Sequence, residues 1–217
     1  MHEVSISQLW SRAWDLFKVN WLLLLGLLVI AIIVNFIPFI GGLIVGILLL
    51  PALVRAGYLV ARQGQSSFGE AFGDLGSLLK IFAYNLILWL ILLLIPAILI
   101  GVGYVLMMDS VHTKEKVVIL VVAGLIIFFI LNLFGWAGPY AILSGQAGIF
   151  SAIGQSFSLT AQNFVKVFVA FLSYIGLAIL GLLLCGVGLL VVGSMAYVFL
   201  PLLYLALTDA EGVSHSK

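Results

Sequence analysis

Ile6, Leu9, Trp10, Ala13, Trp14 and Phe17 stand three or four positions apart, with Gln8, Ser11, Arg12, Asp15 and Lys18 on the opposite side. This spacing predicts an amphipathic helix lying at a membrane interface. Trp10, Trp14 and Trp21 suit the headgroup boundary, where an indole keeps one edge apolar and donates a hydrogen bond from the other. Residues 21–50 then run without a charge. Pro38, Gly41 and Gly42 break that run into a hairpin, since proline removes a helix donor and glycine permits a tight reversal. The first arm, Trp21 to Phe36, measures about 24 Å and the second, from Gly42 to Arg55, about 20 Å. Both fall short of a hydrocarbon core of about 30 Å. Flanking residues lengthen each arm enough to span, and a re-entrant hairpin is the alternative.

After Arg62, the pair Ser67 and Glu70 forms a capping-box spacing that predicts a second interfacial helix, with Phe68, Phe72 and Leu75 on one side. Residues 81–107 and 117–143 are apolar runs of 27 residues each. The stretch from Pro139 to Asn163 predicts a third interfacial helix, with Ile149, Ile153, Phe157 and Thr160 or Ala161 on its apolar side and Ser151, Gln155, Ser158 and Gln162 opposite. Residues 164–184 and 187–207 complete a last hairpin around Cys185, Gly186 and Gly188. The expected fold class is therefore all-α: a polytopic membrane protein with six transmembrane helices in three hairpins, each preceded by an interfacial amphipathic helix.

Composition sharpens this. With 65% hydrophobic and 8% charged residues, the chain lies far from a soluble domain, in which about 25% of residues are charged. It reads as one transmembrane domain over 1–217, with a flexible tail over 211–217. A net charge of +1 removes any electrostatic argument for nucleic acid. Glu3 and Asp15, together with a late apolar run, argue against a cleavable signal. Under a six-span topology, Arg12, Lys18, Arg55, Arg62, Lys80, Lys166 and Lys217 share one side, against Lys114 and Lys116 on the other. The positive-inside rule then places both termini in the cytoplasm.

The order interfacial helix, span, turn, span occurs three times, over about 4–64, 65–145 and 146–210. An offset of 143 pairs Trp14 with Phe157, Leu16 with Leu159, Asn20 with Asn163 and Trp21 with Phe164. Amphipathic helices before hairpins also look alike by composition alone, so repeat and coincidence both stand.

Pro139, Gly148, Ser156, Phe157, Leu159, Thr160 and Asn163 together resemble the signature of uncharacterised bacterial membrane proteins related to the membrane domain of glycerophosphoryl diester phosphodiesterases. The resemblance is sharp over 139–163 and topological elsewhere. It implies a six-span cytoplasmic-membrane domain that is sometimes joined to a lipid-headgroup hydrolase. The chain carries no hydrolase part, and no catalytic residue is carried over.

Arg55 is the basic residue set deepest in an apolar run; it would snorkel to a phosphate headgroup. Alternatively, Arg55 and Arg62, seven apart on one helix face, would make an anion or lipid-phosphate site completed by Lys18 or Lys80, unless Glu70 and Asp74 neutralise them. Asn35, Asn85 and Asn132 are intramembrane amides, read as packing contacts or, if they share a cavity, as a polar pathway. Gly42-x-x-x-Gly46 is a helix-contact spacing. Asp109, His112 and Glu115 have a weak metal-ligand spacing in a solvated loop, and no metal or other cofactor is expected. Lone Cys185 reads as a small hydrophobe. No HExxH, GxSxG or P-loop occurs, nor any mid-span acid. The expected role is non-catalytic: a lipid-contacting or scaffold protein, with a transporter or small channel subunit as the alternative. Its expected partners are membrane lipids and either a second copy or another membrane protein.

Overall fold

The computed structural model describes residues 5–107, 113–183 and 186–214, and the described residues are helical with no strand. The interfacial helix and the first span form one element, α1 (Ile6–Asn35), interrupted at Asn20, whose φ of −111° and ψ of 16° leave the helical range. The Asn20 side chain repairs the break. Its Nδ2 donates to the Leu16 carbonyl at 2.9 Å and to the Gly64 carbonyl at 3.0 Å, and its Oδ1 accepts the Ser66 N–H at 3.3 Å. Asn163, 143 residues later, sits at φ −118° and ψ 28° and donates to the Leu159 carbonyl at 3.2 Å. The two residues paired by the sequence offset thus close two breaks with the same bond to a leucine four residues back.

The turn expected at Pro38 lies between Asn35 and α2 (Gly41–Ile44), and Phe39 takes a positive φ of 64° there. A Cβ on Gly41 would collide with the Val34 carbonyl, so the return helix starts in backbone contact with α1. A π turn over Val45–Leu49 joins α2 to α3 (Leu50–Gln63). Pro51 has no N–H to give, and the wider turn ahead of it accommodates that loss. The helix stops at Gly64, whose φ of 87° is left-handed and whose N–H reaches the Val60 carbonyl.

α4 (Phe68–Phe72) begins with the expected capping box: Ser67 accepts the Glu70 N–H at 3.3 Å, and Glu70 accepts the Ser67 N–H at 2.8 Å. α5 (Leu75–Met107), α6 (Thr113–Gly135), α7 (Gly138–Leu143), α8 (Ile149–Gln162), α9 (Phe164–Leu183) and α10 (Val187–Ser214) follow. α10 extends past residue 211, where a loose tail was expected. Among the described residues, five segments are long and apolar enough to cross a membrane: Ile6–Asn35, Gly41–Gln63, Val122–Leu143, Phe164–Leu183 and Val187–Asp209. Leu75–Ile91 is a shorter apolar stretch of α5. Five such helices fit a multi-pass membrane protein.

α10 packs against α1, α3 and α9, while α5 packs against α6. Small residues permit the closest approaches, as expected where lipid tails compete equally for apolar surface. A Cβ on Gly57 would overlap the Tyr197 carbonyl of α10, and a Cβ on Gly181 or Gly188 would lie within 2.8 Å of the other's backbone. The Gly42 and Gly46 spacing makes no comparable contact, their nearest neighbours being 3.8 and 3.9 Å away.

Candidate functional site

The span reaching Leu143 is broken after Gly135, where its backbone groups lose their helical partners. Hydroxyls from α8 and α5 fill the gap. Ser156 Oγ accepts the Ala137 N–H at 3.0 Å and donates to the Phe134 carbonyl at 2.6 Å. Thr160 Oγ1, one turn on, accepts the Trp136 indole N–H at 3.1 Å and lies 3.5 Å from the Leu133 carbonyl. Tyr84 OH donates to the Gly135 carbonyl at 2.8 Å, and a Cβ on Gly138 would strike the Tyr84 ring. Pro139 lies in the first turn of α7, Gly148 precedes α8, and Asn163 ends it. The residues that carry the sequence signature therefore meet at this joint and its borders.

The faces of α8 differ from the expected two. Ala152, Ser156, Leu159 and Thr160 are buried, with Ile149 and Ile153 at the margin. Phe150 and Phe157 turn outward at 79% and 37% exposure, beside the polar Ser151, Gln155, Ser158 and Gln162. Periodicity sets Phe157 on one apolar side with Ile149 and Ile153; the buried side carries Ser156 instead, because the joint needs its donor and acceptor.

An open cavity of about 720 Å³ lies where α1, α3 and α10 meet the segment after α7. Arg12, Arg62 and Asp209 are its charged lining residues, with Ser144, Gln146 and Thr208 adding polar groups. Arg62 stands in the last turn of α3, where its charge opposes the helix dipole. Tyr58 and Tyr204 also line this space. Both rings pack on Tyr140, at centroid distances of 6.4 and 5.9 Å, and all three side chains are buried. On its far side, Tyr140 lines a second cavity of about 260 Å³ that also contains Asn85, Asn132, Trp89 and Trp136.

The expected anion site is thus divided. Arg55 meets Asp74, with Nη1 at 3.3 Å from both the carboxylate Oδ2 and the backbone carbonyl. The Asp74 carboxyl is held below its ordinary pKa by the Ser77 side-chain and backbone hydrogen bonds, and then by the Arg55 charge. Lys18 pairs with Asp15 at 2.8 Å and lies 5.9 Å from the Trp14 ring centroid. Lys80 is exposed on α5. Arg62 shares its cavity with Arg12, which had read only as part of a solvated face. No local signal marks Arg12, because its approach to Arg62 depends on how α1 and α3 pack.

Of the three anchor tryptophans, Trp14 and Trp21 are exposed at 44% and 51%. Trp10 instead stacks on Phe199 at 3.8 Å and donates its indole N–H to Ser173 at 2.8 Å, which docks it on α9 and α10. Asn85 and Asn132 share a cavity, and Asn132 also donates to the Phe128 carbonyl. Asn35 lies apart from them, at the end of α1. Among the described residues no three His, Cys, Asp or Glu side chains gather as metal ligands. Cys185, Asp109 and His112 fall outside the described residues, as does the side chain of Glu115. Compared with known proteins, the chain matches no family model, no curated protein and no solved structure.

Proposed function

We propose that the chain is a non-catalytic, six-span protein of the cytoplasmic membrane, with both termini in the cytoplasm, that works by contact with inner-leaflet lipid. The sixth span in this reading is α5, whose 33 residues would reach about 50 Å. The distribution of basic residues supports the orientation. The observation that carries the proposal is a set of exposed large rings on the helices that carry the polar breaks. Trp14 and Trp21 stand on either side of Asn20, Phe68 leads α4, Phe150 lies in the first turn of α8, and Phe157 and Phe164 stand on either side of Asn163. Such rings gain most where hydrocarbon meets headgroups. Kinship with the membrane domain of glycerophosphoryl diester phosphodiesterases belongs to the same proposal and rests on the residues of the α8 joint.

Brominated phosphatidylcholine tests this through tryptophan fluorescence. Trp89 is the third outward-facing tryptophan, so replacing Trp14 and Trp21 with Phe is expected to remove roughly half or more of the quenchable emission. Replacing Trp10 or Trp136 should change it little. Undiminished quenching in the Trp14→Phe, Trp21→Phe protein would refute contact at these positions.

A second reading, a transporter or small channel subunit, is favoured by the shared cavity of Asn85 and Asn132. Paired amides in hydrocarbon would give a polar solute hydrogen bonds it could not otherwise keep. Proteoliposomes should then show solute flux that falls about tenfold in Asn85→Leu, Asn132→Leu, as expected when two neutral hydrogen bonds of about 0.5–1.5 kcal/mol each are lost. Silence across a broad solute and ion panel would discard this reading.

A further inference from the structure

Among the described residues, the cavity shared by Arg12 and Arg62 is lined by more positive than negative charge. Both arginines are solvent-exposed and line one open space, and Asp209 is the single carboxylate among the described lining residues. Neither arginine belongs to an ion pair among the described residues, where the pairs are Lys18 with Asp15 and Arg55 with Asp74. Like charges that share a space repel, and the α3 dipole relieves Arg62 only in part. An anion between them would turn that repulsion into attraction on both sides. Guanidinium presents a planar fork of donors that matches phosphate oxygens two at a time, which a lysine pair would not do.

The surroundings narrow the ligand further. Gln146 can accept from or donate to a polar group, Ser144 and Thr208, whose hydroxyls donate to the Ala141 and Tyr204 carbonyls, can accept, and Asp209 can accept from a hydroxyl or amine. The volume of about 720 Å³ falls within the range of roughly 300–1,000 Å³ usual for small-molecule sites, so it exceeds the needs of a bare ion. Tyr58, buried against Tyr140, makes the inner wall aromatic.

We infer that this cavity binds a phosphate ester, its phosphate held by Arg12 and Arg62 and its hydroxyl or amine by Asp209. The source is a phospholipid headgroup or a free phosphorylated solute, which present the same chemistry. The lipid source rests on the lipid-contact reading above; the solute source does not.

Full-length protein in phosphatidylcholine nanodiscs separates the two. Glycerol 3-phosphate is titrated from solution, and phosphatidylglycerol is introduced in the bilayer, with retained lipid read by native mass spectrometry. One of the two should bind the unmodified protein. Arg12→Gln, Arg62→Gln should weaken it at least about tenfold, as loss of charge-assisted bonds predicts. Arg12→Lys, Arg62→Lys should retain an intermediate affinity, and Lys18→Gln should leave it unchanged. Retention of phosphatidylglycerol alone assigns a headgroup, and response to glycerol 3-phosphate assigns a free solute. Failure of both ligands, or full binding by the Gln variant, overturns the inference.

Phenylglyoxal labelling of the unmodified protein needs no substitution. The bound ligand should slow modification of Arg12 and Arg62 several-fold, and equal rates with and without it would also overturn the site. Quenching at Trp14 and Trp21 tests lipid contact without these arginines, so the two failures remain distinguishable.

Discussion

Gly57→Leu is expected to drive α3 away from α10 and to destabilise the protein by about 3 kcal/mol or more, with Gly57→Ala costing about 2 kcal/mol. The alanine Cβ alone would occupy the space of the Tyr197 carbonyl, and a carbonyl in a packed helix cannot rotate aside without losing its own hydrogen bond. The neighbourhood cannot yield easily either. Leu53, Ala56 and Val60 of α3 and Val198 of α10 are fully buried around the contact, and dense interiors transmit such displacements. Fluorescence-detected size-exclusion after heating would show the loss as a lower melting temperature. Gly46→Leu is the matched control: its nearest neighbour is the Phe82 ring edge at 3.9 Å, and its cost should stay below about 1 kcal/mol. Equal melting of the two variants would contradict backbone contact between α3 and α10.

Removing both hydroxyls of the α8 joint, Ser156→Ala with Thr160→Val, is expected to cost about 3–5 kcal/mol. Ser156 satisfies a buried donor and a buried acceptor at once, the Ala137 N–H and the Phe134 carbonyl. Thr160 satisfies the Trp136 indole. Each orphaned group costs about 1–3 kcal/mol when it is shut away from water. The two changes share one network and should not add simply. Near-ultraviolet circular dichroism would report the loosened Trp136, and hydrogen exchange should rise at Ala137, between α6 and α7, ahead of α6 itself. Unchanged exchange at Ala137 would mean that water or another group supplies its acceptor. The single change Thr160→Val should spare Ala137 and move only the Trp136 signal.

Much of the fold was legible because hydrocarbon demands long apolar runs and punishes uncapped ends. The turn at Pro38 and the capping box at Ser67 follow from residue chemistry within a few positions, whereas the break at Asn20 is closed by Gly64 and Ser66, far along the chain. Among the described residues five candidate spans emerge where six were expected, the difference lying at α5. What escaped was tertiary. Periodicity sets Ile149, Ile153, Phe157 and Thr160 or Ala161 on the apolar side of α8, yet the joint takes Ser156 with Thr160 and leaves Phe157 at its edge, because a broken helix elsewhere needs the hydroxyls. The Gly42 and Gly46 spacing suggested a contact that Gly57 makes instead, since spacing along one helix does not reveal where a second helix passes. Arg55 and Arg62 do lie on one helix, but Asp74 takes the first and Arg12 joins the second. The packing of α1 beside α3, and of the α4–α5 segment against Arg55, distinguishes those two environments.

The π turn before Pro51 has a consequence for which neighbours a single helix can serve. Gly41 touches α1 through Val34, and Gly57 touches α10 through Tyr197. They are 16 residues apart, and at about 100° per residue an uninterrupted α-helix would point them nearly opposite ways, about 160° around the axis. The surplus residue absorbed between Val45 and Leu49 trims that angle to about 60°. Adjacent sectors then look toward α1 and α10, which themselves lie side by side. Forcing these 16 positions into a regular α-helix would swing one glycine out of reach of its target, whereas deleting the surplus residue would keep the angle near about 60°, so the apparent irregularity is what lets both helices be met at backbone distance.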